Sequence, residues 1–163
     1  MYRNNPAPRI PLALFMYFIS VLLLISSISG CALKVKLVGE YDQIVDKSVT
    51  ELQQLTVTFF TKMKTASDAD RTYAVNKEFY ADANGKISTL IARSEVIEEG
   101  LNKNPLTENF KELKNQYDEL AKEHKNKPSK KYFESAEKAF NQSFRAILEH
   151  LLYLKWNQTQ PES

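Results

Sequence analysis

Apolar residues recur at steps of three and four from Tyr41 onward, in four separate segments of the chain. A repeat near 3.6 residues predicts amphipathic helices, each with one buried face. The four apolar stripes are Val45, Val49, Leu52, Leu55, Phe59 and Met63; Tyr73, Tyr80, Ala83, Ile87, Leu90, Ser94 and Ile97; Leu106, Phe110, Leu113, Tyr117, Leu120 and His124; and Phe133, Ala136, Phe140, Phe144, Ile147, Leu151 and Leu154. The pattern predicts an all-α fold, an antiparallel up-down-up-down four-helix bundle over residues 41–156, with a frayed tail at 157–163.

Short polar connections separate the stripes, and connections of this length make neighbouring helices antiparallel. The predicted N-caps are Ser67 or Asp68 for the second helix, Thr107 for the third and Ser129 for the fourth. Gly85 lies inside the second stripe, where glycine costs about 1 kcal/mol relative to alanine. The apolar residues on both sides of Gly85 keep their phase. We therefore predict one continuous helix rather than a break at Asn84–Gly85.

The segment before the bundle has a different character. Residues 12–28, LALFMYFISVLLLISSI, form the longest apolar run, and the stretch before it carries Arg3 and Arg9 but no acidic residue. A basic start followed by an apolar run is typical of an export signal. Residues 10–28 are also almost long enough for an uncleaved transmembrane helix. The only cysteine of the chain, Cys31, stands directly after the run, where it is either a modified residue or an ordinary thiol.

The four residues Ile28, Ser29, Gly30 and Cys31 resemble the lipobox of bacterial lipoproteins. The resemblance implies that residues 1–30 are a signal peptide that is removed, and that Cys31 becomes a lipidated N-terminus with a diacylglyceryl thioether and an N-acyl group. The residue after Cys31 is Ala32 rather than aspartate. By the same resemblance this implies the outer membrane, with the domain facing the periplasm. Residues 31–40 then form the lipidated N-terminus and an extended tether with a reach of roughly 30 Å.

A second resemblance covers most of residues 31–155. The run Tyr41–Lys47, the pair Phe79–Tyr80, Arg93 and His124 look like a set of uncharacterised small bacterial lipoproteins that are predicted to be helical. The resemblance implies location and fold. That family has no assigned activity to transfer.

The chain has 22 basic and 20 acidic side chains. Removal of Arg3 and Arg9 with the signal peptide leaves 20 of each, so the mature domain is neutral. A neutral domain lacks the basic surface that nucleic acids require, so we expect no nucleic-acid partner. Electrostatic attraction to a membrane is equally unsupported. We expect the lipid to provide the membrane attachment, since two or more acyl chains hold a protein stably.

Candidate chemistry is sparse. The chain has two histidines, His124 and His150, and neither follows a carboxylate by three residues as in di-iron bundles. We therefore expect no metal, no cofactor and no enzymatic activity, since motifs for nucleophilic catalysis or phosphate binding are also missing. His124 is expected to be a partly buried histidine that is hydrogen-bonded to a neighbouring turn.

Two charged clusters and two aromatic residues are the remaining candidates for a site. Asp42 and Asp46 share a helix face, and Arg93 should arrive at their level in an antiparallel hairpin, which predicts a structural ion pair or a polar pocket. The carboxylates of Glu95, Glu98 and Glu99 gather at the negative end of the second helix, where Lys103 or a cationic partner is expected to compensate them. Phe60 and Phe79 lie just off the stripes, and if exposed they would mark a partner surface.

The function expected from these features is that of a lipid-anchored, non-enzymatic envelope lipoprotein that binds another envelope component. We expect this partner to be a protein that contacts the acidic helix end or the off-stripe aromatics. The alternative is a bundle that binds a small apolar ligand between its helices. A third hypothesis is an envelope enzyme centred on His124. The oligomeric state does not follow from the sequence.

Overall fold

A computed structural model describes residues 39–159, and this part of the chain folds as an all-α bundle of four helices. They are α1 (Gln43–Thr65), α2 (Tyr73–Ile97), α3 (Pro105–Lys125) and α4 (Lys130–Thr159). Consecutive helices pack against each other, and α1 also packs against α4, so the four helices close a ring. The predicted fold class is confirmed. The predicted signal peptide, Cys31 and most of the tether lie outside the described residues.

The bundle has two ends, which we name by the place where the described chain begins. At the near end, Gly39 lies beside the last turn of α2, and the side chain of Gln158 in α4 donates to the carbonyl oxygen of Tyr41 at 3.3 Å. The connections between α1 and α2 and between α3 and α4 form the far end, where His124 reaches the carbonyl oxygen of Arg71. The chain therefore enters the bundle and leaves it at the same end.

The apolar stripes form the core, as their spacing predicts. The largest fully buried side chains are Tyr117, Phe60, Phe110, Phe133, Phe144, Leu52, Met63, Ile87, Leu90, Leu106, Leu113 and Leu120. A few stripe positions, among them Leu55 and Ala136, are only partly buried and pack on the rim of this core. None of the four helices in residues 39–159 is both long enough and apolar enough to cross a membrane.

Gly85 lies within the uninterrupted helix α2, which confirms the prediction of one continuous helix there. The helix α4 runs on through Thr159, so the prediction of a frayed tail from residue 157 is wrong for residues 157–159. The bond from Gln158 to Tyr41 holds this last turn against the start of the bundle. Residues 160–163 lie outside the described part.

Two of the three predicted helix caps differ from the structure. Helix α2 begins only at Tyr73, because residues 67–72 form a separate turn in which Ser67 bonds to Asp70. Helix α3 begins at Pro105, which places Thr107 inside its first turn rather than before it. The Ser129 hydroxyl accepts from the backbone N–H of Tyr132 at 3.4 Å, as expected of a cap.

Candidate functional site

His124 lies in a closed polar cluster at the far end of the bundle. Its side chain is at the end of α3, and the residue is 1% exposed. The ring atom Nε2 is 2.6 Å from the carbonyl oxygen of Arg71, and Nδ1 is 2.6 Å from the hydroxyl of Tyr80. A carbonyl can only accept, so the neutral ring carries its proton on Nε2 and accepts from Tyr80 through Nδ1. Both ring nitrogens are thus engaged, and the expected bond to a neighbouring turn is confirmed.

The surroundings of His124 favour its neutral form. Phe59 and Phe133 contact the imidazole edge to face, with ring centroids 5.9 and 5.1 Å away. Burial lowers the pKa of His124, and the hydrogen bond to the Arg71 carbonyl opposes this effect only in part. Burial also raises the pKa of Tyr80, so its hydroxyl remains a proton donor. Both residues are buried and both ring nitrogens of His124 are bonded, so the arrangement suits a structural role.

Glu98 forms a second closed cluster, at the near end. The residue is 1% exposed, although it directly follows α2. Its two carboxylate oxygens accept from the backbone N–H groups of Leu106 and Thr107, both at 2.9 Å, and the Thr107 hydroxyl lies 2.6 Å from Oε2. Glu98 therefore caps α3 from the end of the preceding helix, a carboxylate at the positive end of a helix dipole.

This geometry corrects the interpretation of the three glutamates. The charge of Glu98 is compensated by the first turn of α3, not by Lys103 or a partner, and Glu98 is unavailable at the surface. Glu95 is exposed and lies 3.4 Å from the ammonium of Lys111 in α3. Glu99 is exposed. Of the predicted acidic contact surface, only Glu95 and Glu99 remain accessible.

The predicted ion pair at the start of α1 is confirmed, with Asp42 as the partner. Arg93 Nε donates to Asp42 Oδ2 at 2.6 Å, and the other oxygen of Asp42 accepts from the first amides of α1. Burial raises the pKa of Asp42, but the bonds from Arg93 and from these amides outweigh it and hold the pKa below its usual value. Asp46 accepts from the Tyr41 hydroxyl at 2.7 Å instead. That bond raises the pKa of Tyr41.

Phe60 and Phe79 belong to the core, so they lack the exposure that the predicted partner surface required. They are 1% and 9% exposed. Phe60 contacts Phe140 of α4 at a centroid distance of 5.4 Å, and Phe79 stacks on Phe59 at 3.8 Å with an angle of 6° between the rings. Each helix in the ring has two neighbours, and these cover the positions on both sides of its main stripe.

Sequence reasoning missed an exposed apolar cluster on the last turns of α4. Leu152, Tyr153 and Trp156 are 64%, 48% and 60% exposed, and we call these three residues the near-end patch. At about 100° per residue they fall within an arc of about 100°, on the side of α4 opposite its buried stripe. Their signal was present in the sequence, since all three lie off the stripe that ends at Leu151 and Leu154.

The residues expected to form the lipidation site lie outside the described part of the chain. The lipobox residues Ile28, Ser29 and Gly30 and the lipidation site Cys31 all precede residue 39. Within residues 39–159, no three His, Cys, Asp or Glu side chains gather in a way that could hold a metal ion. Comparison with protein-family models, with curated proteins and with solved structures finds no match for this chain.

Proposed function

We propose that this protein is a lipid-anchored bacterial envelope lipoprotein whose helical bundle binds another envelope component and has no enzymatic activity. The lipid anchor rests on the lipobox-like residues that end in Cys31, the chain's only cysteine. Ala32, which follows Cys31 in place of an aspartate, supports a location at the outer membrane with the bundle facing the periplasm.

The proposal that the protein has no enzymatic activity rests on one observation. The reactive side chains inside the bundle are already hydrogen-bonded to other groups of the protein. Both nitrogens of His124 are occupied by Tyr80 and by a backbone carbonyl, and the carboxylate of Glu98 is occupied by the first turn of α3. A catalytic group must reach a reacting atom directly or through one water. This supports binding over the hypothesis of an enzyme centred on His124.

The filling of the core bears on the alternative function, binding of a small apolar molecule between the helices. The rings of Phe60, Phe110, Tyr117, Phe133 and Phe144 are fully buried and occupy the space between the four helices. A ligand there would have to displace them. Binding at the outer surface of the bundle is therefore favoured.

The anchor is tested by mass spectrometry of the protein purified from bacterial membranes. We expect a mature chain that begins at Cys31 and carries the mass of the attached lipid. A Cys31→Ala variant should remain an unprocessed precursor. A wild-type protein that retains residues 1–30 would refute the lipoprotein assignment.

The binding function is tested by photocrosslinking in intact cells. A photoreactive amino acid is placed, one position at a time, at the exposed apolar residues Val57, Val75 and Val96 and at Glu99. We expect one position to capture the same envelope protein repeatedly while the others do not. Buried Leu113 is the matched control, because a probe there cannot reach a partner. The absence of position-dependent capture would argue against a protein partner.

A further inference from the structure

We infer that the near-end patch, Leu152, Tyr153 and Trp156, rests on the surface of the lipid bilayer to which the chain is anchored. The inference rests on the lipid anchor of the proposed function, and it adds a second membrane contact made by the folded domain itself.

The position of the patch relative to the anchor is the first argument. From Cys31 to Gly39 the chain spans at most roughly 27 Å, because an extended residue covers about 3.3 Å. Gly39 lies at the near end, 3.4 to 3.7 Å from atoms of Ile97 and Glu98 when a Cβ is placed on it. The patch lies within about 11 Å of the end of α4, measured along the helix axis. The chain that leads from the anchor therefore enters the bundle at the end where the patch lies.

Contacts between α4 and Tyr41 hold the patch close to the point where the chain enters the bundle. Gln158 donates to the carbonyl oxygen of Tyr41, and the ammonium of Lys155 lies over the Tyr41 ring, 5.5 Å from its centroid. These contacts hold the last turns of α4 against the segment through which the chain enters the bundle. The patch cannot move away from that segment without breaking them.

The residue types fit a bilayer interface. Tryptophan and tyrosine have an apolar body and a polar N–H or O–H group, and they are enriched where hydrocarbon meets headgroups. Leu152 supplies a purely apolar contact beside them. Ile44, 58% exposed, lies at the start of α1 in an open groove that Tyr41, Lys155 and further charged side chains also line.

The size of the patch favours lipid over a second protein. Three side chains at these exposures offer on the order of 300 Å², whereas each partner in a stable protein interface contributes roughly 800 Å². A small patch suffices at a bilayer, because the anchor already confines the domain there and raises the effective concentration of the second contact.

Trp156 makes the inference testable without a label, since it is the only tryptophan of the chain. The lipidated full-length mature protein is reconstituted into vesicles of phosphatidylethanolamine and phosphatidylglycerol. We expect its tryptophan emission to lie at shorter wavelength than that of a soluble form that begins at Ala32, measured in buffer. Lipids brominated along their acyl chains should quench this emission, and aqueous iodide should quench it weakly.

A Leu152→Glu variant keeps the reporter and places a charge in the patch. We expect it to lose most of the quenching by brominated lipid while it still floats with the vesicles. Val75→Glu is the matched control, because Val75 is 55% exposed and lies in the first turn of α2, at the far end. This control should behave as the wild-type protein does.

The outcomes separate the anchor from the patch. A protein that floats with vesicles but keeps the emission of a water-exposed indole has its anchor and overturns the inference. An emission shift that depends on protein concentration and not on brominated lipid assigns the patch to a second copy of the chain and also overturns it. A protein without lipid on Cys31 refutes the proposed function, and the inference falls with it.

Discussion

Glu98→Ala removes a buried carboxylate that caps α3 from outside that helix. Two backbone N–H groups, of Leu106 and Thr107, lose their acceptors, and the Thr107 hydroxyl loses its closest partner. A buried donor left without an acceptor costs about 1 to 3 kcal/mol. Water that enters the space left by the side chain recovers part of this loss. We therefore expect the free energy of unfolding to fall by about 2 to 4 kcal/mol.

The assay is urea denaturation of a soluble form that begins at Ala32. Unfolding is monitored by the loss of the helical circular dichroism signal. Glu99→Ala is the matched control, because Glu99 is the neighbouring residue and is exposed. The free energy of unfolding of Glu99→Ala should stay within about 0.5 kcal/mol of the wild-type value. Glu98→Gln keeps one acceptor oxygen but turns an N–H group toward the donors of α3. Its loss of unfolding free energy should therefore lie between the losses of Glu98→Ala and Glu99→Ala.

Hydrogen exchange locates the effect. In the wild-type protein the amides of Leu106 and Thr107 should exchange slowly, since both are bonded to a buried carboxylate. In Glu98→Ala they should exchange much faster than amides in the middle of α3. The reasoning is refuted if Glu98→Ala costs no more stability than Glu99→Ala, or if these two amides keep their protection.

Three further predictions concern other parts of the bundle. Gly85→Ala should stabilise the domain by roughly 0.5 to 1 kcal/mol, because an added Cβ meets no atom within 4 Å and alanine restricts the unfolded chain; a lower urea midpoint would contradict this. A double-mutant cycle of Arg93→Ala and Asp42→Ala should give a coupling below about 1 kcal/mol but above zero, since the Arg93 side chain is 43% exposed; zero coupling would show that the pair contributes nothing. Burial lowers the pKa of both His124 and His150, so the unfolded chain binds protons more readily, and stability present above pH about 6.5 should be lost as the pH falls below that value. His124→Gln should make the loss in urea midpoint between pH 7 and 5.5 shallower, and an unchanged slope would assign the acid sensitivity to other groups.

The helices and one ion pair were predictable because their signals are local or follow from simple geometry. The spacing of apolar residues identifies the buried face of each helix, and the antiparallel hairpin of α1 and α2 brings Arg93 to the level of Asp42. Sequence reasoning considered Glu98 only within its own helix, where its charge is unfavourable. The amides that bind it belong to the next helix, and only the path of the connection between α2 and α3 brings them together.

Phe60 and Phe79 show a second limit. Apolar spacing finds the centre of a buried face, but its width depends on how closely the two neighbouring helices approach. In this bundle they cover both rings. The near-end patch is the opposite case, since none of the other three helices within residues 39–159 covers the outer side of the last turns of α4.

The closure of the ring by α1 and α4 has a consequence for the order of folding. These two helices are joined by the Phe60–Phe140 contact and by the ion pair of Lys64 with Glu137, both between residues more than seventy positions apart. Pairs of consecutive helices close short loops, whereas this contact closes the longest loop and carries the largest entropic cost. While α4 is not yet in place, the face of α1 that it covers stays open to water or to other chains. Of the four described helices, the one that is synthesised last is thus the one that completes the core.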